Sequence, residues 1–124
     1  MSLKIIAVVN GKTASEEYVR IQAQADTNAQ GYAVVDRTFD QDGTLSNEFR
    51  HIYVFHKFDV KKFDWVRLHT GPGTYSTAQN KEKTVTTHHV YWGAKECVWN
   101  NNGGDKASLI RYTIVNIVDV PAVK

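Results

Sequence analysis

Cysteine is nearly absent. The chain of 124 residues has one, Cys97, which excludes an internal disulfide framework and any multi-cysteine zinc site. A single thiol leaves the compartment open. Proline is almost as scarce, at two residues, so the chain is neither collagen-like nor a proline-rich segment. Long apolar runs are missing too. The run at residues 5–9 has five residues, against about 18 for a membrane span and about 7–15 for the centre of a signal peptide. The opening MSLKIIAVVNG is therefore read as a β-strand, with no membrane span and no signal peptide expected. Charge of one sign is also weak. A net charge of +2 is too little to imply nucleic acid by itself.

What is present points to one folded domain over residues 1–124. The composition, 42% hydrophobic and 23% charged, is that of a globular chain long enough to bury a core without disulfides or a structural metal. Strand signals recur, and no amphipathic helix, repeat or linker interrupts them. EEYVRIQAQA alternates, with Val19, Ile21 and Ala23 on one face. FDWVRLHTGPG turns Val66 and Leu68 inward and Trp65, Arg67 and His69 outward, then stops at Gly71-Pro72-Gly73. LKIIAVV, GYAVVDRTF, FRHIYVFHKF, VTTHHVYWG and DKASLIRYTIVNIVDV supply the other strands, separated by polar Gly-bearing loops. The expectation is an all-β sandwich or small barrel of about seven to nine strands. Its expected core is Ile5, Val8, Val19, Ile21, Val34, Ile52, Val54, Val66, Leu68, Trp99, Leu109 and Ile110.

The stretch HHVYWGAKECVWNNNGGDKASL, residues 88–109, concentrates the unusual residues. A metal site is one reading. His88 and His89 are adjacent on a strand, so they point to opposite faces and cannot both chelate one ion in the ordinary way; exposed strand histidines are expected instead. A calcium loop of EF-hand type needs alternating acids and a Glu about six residues past its Gly. The Asn/Gly loop has one acid, Asp105, and no such Glu, so turn chemistry is expected. Cys97 has no local base or orienting group to make it a nucleophile. Trp92 and Trp99 are read as packing rings at the end of a sandwich.

The order of these residues resembles a known family. A strand ending in Tyr91-Trp92-Gly93, then Trp99-Asn100-Asn101, then Gly104-Asp105 leading into Ala107-x-Leu109, is similar to the bacterial form of the lamin tail domain. Glu17-Tyr18-Val19 and Gly31-Tyr32 match its earlier strands, and the resemblance covers residues 16–111. Three positions depart from the pattern. Phe63 stands where the family turns on a glycine, Gly103-Gly104 adds a residue to the Asn/Gly loop, and Tyr32 replaces a tryptophan. The resemblance implies an immunoglobulin-like β-sandwich, acting as a non-catalytic interaction module without a cofactor. It also implies a protein or cell-surface partner, and it allows a secreted or surface protein whose leader has been removed. Homo-oligomers are compatible with it.

One further segment carries candidate binding residues. Residues 50–69 hold Arg50, Lys57, Lys61, Lys62 and Arg67 against Asp59 and Asp64, with Trp65 and other aromatics between them. Basic groups interleaved with rings bind phosphate backbones and stack bases, so weak nucleic-acid binding is the alternative function. The competing expectation is a pair of strands joined by a solvated lysine turn, which also blocks edge-to-edge aggregation. No Gly-rich phosphate cradle, groove-reading helix or RNA-binding signature accompanies the segment.

Overall fold

Alternation decides the central strands. In β2 (Tyr18–Ala23) Val19, Ile21 and Ala23 are fully buried, and in β7 (Trp65–His69) Val66 and Leu68 are. The antiparallel register sets Val19 opposite Leu68 and Ile21 opposite Val66, so one continuous apolar face forms. Each such side chain contributes about 1.5–3 kcal/mol when removed from water. The structure, a computed structural model, describes residues 2–37, 51–99 and 106–123.

Ten strand segments are present among those residues, against the seven to nine expected. They include β1 (Leu3–Val9), β3 (Thr27–Asn28), β4 (Tyr32–Arg37), β5 (His51–Val54), β6 (Asp59–Val60), β8 (Ser76–Gln79), β9 (Thr86–Tyr91) and β10 (Lys106–Arg111). A single 3-10 turn, Ala14–Glu16, joins β1 to β2. One sheet runs β1-β2-β7-β9-β8, a second β10-β4-β5, and a short ribbon pairs β3 with β6. The sheets pack as an all-β sandwich. Tyr32, Val34, Phe55, Phe58, Val60 and Trp99 join Val19, Ile21, Val66, Leu68 and Val90 in its core. Among the described residues no helix is long and apolar enough to cross a membrane.

The connection after β7 is the least regular part of the topology. The chain leaves β7, forms the edge strand β8 and returns as β9, which pairs parallel with β7. The return needs a close approach at Gly73, where an added Cβ would sit 2.3 Å from the Tyr91 ring. Gly93 ends β9 with φ +81°, in the left-handed region that glycine enters without strain. Phe63 adopts the same region, φ 76°, in the turn before β7. Its backbone N–H donates to Ala23 O at 2.9 Å, which holds that turn on the end of β2.

The sequence-based core is corrected at four positions, Val8, Ile52, Val54 and Ile110. Ile52 and Val54 are 47% and 50% exposed, because β5 presents the other parity inward. Larger rings win the interior there: Tyr53 packs 5.7 Å from Trp92, and Phe55, just beyond β5, is buried 5.2 Å from Tyr53. Val8 is exposed on the edge strand β1, past a register shift between Ile5 and Ala7. Ile5 and Leu109 are partly buried against the core, and Ile110 lies on the opposite parity of β10 from Leu109.

Candidate functional site

The outer face of the five-stranded sheet carries the unusual chemistry. Strand register lines its residues into rows. One row is Ala7, Arg20, Arg67, His89 and Ser76, from β1 across to β8. A flanking row is Lys4, Gln22, Trp65, Thr87 and Ala78, and the other is Val9, Tyr18, His69 and Tyr91. No aspartate or glutamate occupies any of these positions.

Arg20 and Arg67 face each other directly across the β2–β7 pair. Like charges so placed repel. Each guanidinium instead lies over the ring of a diagonal neighbour: Arg20 sits 4.6 Å from the Trp65 ring centre, and Arg67 4.4 Å from that of Tyr18. Such contacts are worth about 0.5–1 kcal/mol at a partly exposed site. They place each guanidinium carbon over a ring on the same face of the sheet. Among the described residues neither arginine has a carboxylate within ion-pair distance. A concavity of about 230 Å³ opens between Arg20, Trp65, Arg67 and Thr87. A second, of about 430 Å³, adjoins it and runs from Trp65 and Arg67 to His89 and Gln79. Donors in a planar fork, a threonine hydroxyl and no competing acid suit an oxyanion.

The third row adds a ring stack. His69 lies nearly parallel to Tyr91 at 4.7 Å and to His89 at 5.2 Å, and its Nε2 is 2.9 Å from His89 Nδ1. One ring donates in that bond and the other accepts, which both neutral imidazoles satisfy. Burial, then His89, then Arg67 lower the His69 pKa from 6.5 to about 4. Burial, Arg67 and His88 lower that of His89. At neutral pH the arginines and Lys4 therefore carry the positive charge of this face, and the histidine pair is uncharged.

Of the residues proposed from sequence, Trp65 and Arg67 belong to this face. Lys61 and Lys62 do not line either concavity. They form the turn before β7, where the backbone N–H of Lys61 donates to Asp64 and that of Lys62 to Asp26. The Lys62 ammonium lies 5.1 Å over the Phe63 ring. Lys57 is exposed between β5 and β6. Arg50 lies outside the described residues, as do Asn100, Asn101, Gly104 and Asp105 of the motif. Tyr18, Arg20, His69, His89 and Tyr91 were not grouped with the site in the sequence. The alternation of EEYVRIQ, which set Tyr18 and Arg20 on the face opposite Val19, was the available signal.

The histidines are not the exposed strand residues expected. His88 and His89 do point to opposite faces, but His88 is buried, at 6% exposure. Its Nε2–H donates to Asp64 at 3.2 Å, which leaves Nδ1 to accept from the Tyr75 hydroxyl at 2.8 Å. Asp64 also accepts from the backbone N–H groups of Lys61 and Thr86, so it fastens the turn before β7 to β9. His51 pairs with the buried Asp36 at 3.0 Å, and His56 packs on Phe58 and Tyr75. Among the described residues no group of three or more His, Cys, Asp or Glu side chains converges as a metal site.

Trp92 and Trp99 meet edge to face, centres 6.2 Å apart, with Trp99 buried at 5% exposure. What places Trp99 is Glu17, a fully buried carboxylate that the sequence did not flag. Its Oε1 accepts from Thr70 Oγ1 and Val98 N at 2.8 Å each, and from Trp99 N at 3.3 Å. Nearby, the half-buried Cys97 thiol donates to Gly11 O at 3.4 Å. Burial and the Glu17 carboxylate push its pKa up, so it stays protonated at neutral pH. A scan of protein-family models and a search of curated proteins both find no match to this chain.

Proposed function

We propose that this chain is a non-catalytic interaction module of the lamin-tail type, binding an anionic segment of a protein or cell-surface partner through the outer face of its five-stranded sheet. The observation that carries the reading is the facing pair Arg20 and Arg67. Two guanidiniums lie over aromatic rings, without a carboxylate partner among the described residues, beside concavities that share Trp65, Arg67 and Thr87. Two points support the lamin-tail type. Phe63, which stands where that family has a glycine, takes a glycine-like φ of 76°. Trp92 and Trp99 of the resembling motif pack together at the end of the core.

Nucleic acid is the second reading, favoured by the same ring and guanidinium ladder, on which bases stack. The test is a titration of the full chain with three labelled probes: an acidic peptide, a sulfated oligosaccharide and a short single-stranded oligonucleotide. Binding to the peptide or saccharide should fall more than about tenfold in an Arg20→Glu/Arg67→Glu variant, a loss of at least 1.4 kcal/mol. It should persist in Lys61→Glu/Lys62→Glu. Preference for the oligonucleotide, with a salt slope of about 0.7 per phosphate contacted, selects the second reading. Loss in the lysine variant alone sinks both assignments to the sheet face.

A further inference from the structure

One concavity lies off the outer sheet face, at the open side of the sandwich. β1 and β10 are edge strands of different sheets, and a hollow of about 260 Å³ opens between them. Leu3 and Ile5 line it from β1, and Leu109 and Ile110 from β10. Its charged lining residues are Lys4 and Arg111, both exposed, and no carboxylate is among them. The Arg111 guanidinium lies 5.1 Å from the Tyr32 ring centre and donates to the Tyr32 hydroxyl at 3.3 Å. The hollow is therefore apolar inside and cationic at its rim.

Lys4 connects this hollow to the sheet face. It stands in the row Lys4, Gln22, Trp65, Thr87 and Ala78, which crosses β1, β2, β7, β9 and β8. Trp65 and Thr87 line both concavities of the face, and Ala78 lines the second. One row of the sheet thus joins all three hollows. Neighbouring strands lie about 4.8 Å apart, so β1 and β7 are separated by about 10 Å along it. An extended peptide rises about 3.3 Å per residue and covers that distance in about three residues.

The chemistry changes along that row. Over β2 and β7 it is flanked by the Arg20 and Arg67 guanidiniums, which suit carboxylates. At the β1 end it meets an aliphatic hollow, which a charged group enters only at the cost of its hydration. A saccharide or a nucleotide offers no aliphatic side chain to fill it. A single-headed lipid sets its charge directly beside its tail, rather than about 10 Å away. A peptide carries both groups at a fixed spacing.

We propose that the hollow between β1 and β10 is the anchor pocket of the sheet-face site, and that the ligand is an extended peptide with acidic side chains over Arg20 and Arg67 and an aliphatic side chain about three residues away. This role depends on the sheet-face reading above, and it narrows the ligand from any anionic segment to an acidic peptide with an apolar anchor. The arginines select charge, and salt screens their part of the affinity. The anchor adds burial of apolar surface, which salt does not screen.

The test is a titration of the full chain with two capped peptides, LSSDDSSL and SSSDDSSS, whose symmetry covers either chain direction. The leucines should tighten binding at least about tenfold. Ile110→Thr keeps a β-branched strand residue but withdraws apolar surface. It should cut that gain at least about threefold and leave SSSDDSSS binding unchanged. In amide spectra of the wild type, LSSDDSSL should shift Ile5 and Ile110, which SSSDDSSS leaves in place. Equal affinities for the two peptides, or a gain that Ile110→Thr leaves intact, overturn the anchor pocket while the sheet-face reading stands. Failure of both peptides to bind removes both. A gain that appears only after the exposed Ile114 and Ile117 are replaced by serine assigns the hollow to this chain's own tail and overturns the proposal. So does a dimer that Ile110→Thr dissociates, which assigns it to a second copy.

Discussion

Glu17→Ala should remove a large part of the stability of this domain. The carboxylate is fully buried, and its Oε1 accepts three hydrogen bonds, from the Thr70 hydroxyl and the N–H groups of Val98 and Trp99. A hydrogen bond to a charged group is worth about 1.5–3 kcal/mol, and a buried donor left without a partner costs about 1–3 kcal/mol. The terms do not add fully. The second oxygen, Oε2, has no partner among the described residues, and burying it unpaired is a cost that the substitution removes. A net loss of about 3–5 kcal/mol follows, against about 5–15 kcal/mol for the stability of a whole domain. Glu17→Gln keeps an acceptor at the Oε1 position and should lose only about 1–2 kcal/mol. Urea unfolding read by tryptophan fluorescence measures both, since Trp92 and Trp99 sit beside the anchored loop. Hydrogen exchange at the Val98 and Trp99 amides should accelerate in the alanine variant before global unfolding. A loss below about 1 kcal/mol for alanine, or equal losses for alanine and glutamine, would refute the account of Glu17 as a three-way acceptor.

Acid should weaken the fold and strengthen the site. The His69 pKa is depressed to about 4 in the folded chain, so between pH 6.5 and 4 the unfolded chain binds the extra proton and stability falls as pH falls. Solvent screening around this partly exposed ring reduces the loss to about 1 kcal/mol, read as the shift in urea midpoint that His69→Gln abolishes. An anionic probe should bind more tightly at pH 5 than at 7.5, as it draws His69 and His89 toward their charged forms beside Arg67; equal affinities would detach the pair from the site. Phe63→Gly should stabilise by up to about 1 kcal/mol, because φ 76° strains any side chain, whereas Phe63→Val should destabilise by about 1–2 kcal/mol in thermal unfolding. Asp64→Asn sets an amide NH₂ among three donors and should cost about 1–3 kcal/mol. It should also move the His88 proton from Nε2 to Nδ1, visible in imidazole nitrogen shifts.

Strands β2 and β7 were legible because one face of each meets the core and the other meets solvent, so alternation in YVRIQA and WVRLH carries the answer directly. β5 was not. HIYVF is apolar on both parities, and aliphatic against aromatic volume decided the matter: Tyr53 and Phe55 fill space beside Trp92 that Ile52 and Val54 would leave empty. Glu17 and His88 escaped for a different reason. A buried polar residue is settled by partners far along the chain, and those of Glu17 stand 53, 81 and 82 positions away. Periodicity has no access to such pairs.

The candidate site shows the same limit from the functional side. Reading charge along the chain groups Lys57, Lys61, Lys62 and Arg67, because they are neighbours in sequence. A sheet groups residues by register instead, so Arg67 belongs with Arg20 on β2 and His89 on β9, while Lys61 and Lys62 stay in the turn. The parallel pairing of β7 with β9 is what brings His89 there, and it depends on the β8 detour and the approach of Gly73 to Tyr91. Without that crossover, β9 and its row of Thr87, His89 and Tyr91 would leave the arginine pair with no second wall. The long loop-and-strand return after β7 therefore shapes this surface as much as the core, and substitutions that block it, Gly73→Val first among them, should abolish the proposed binding face together with the fold.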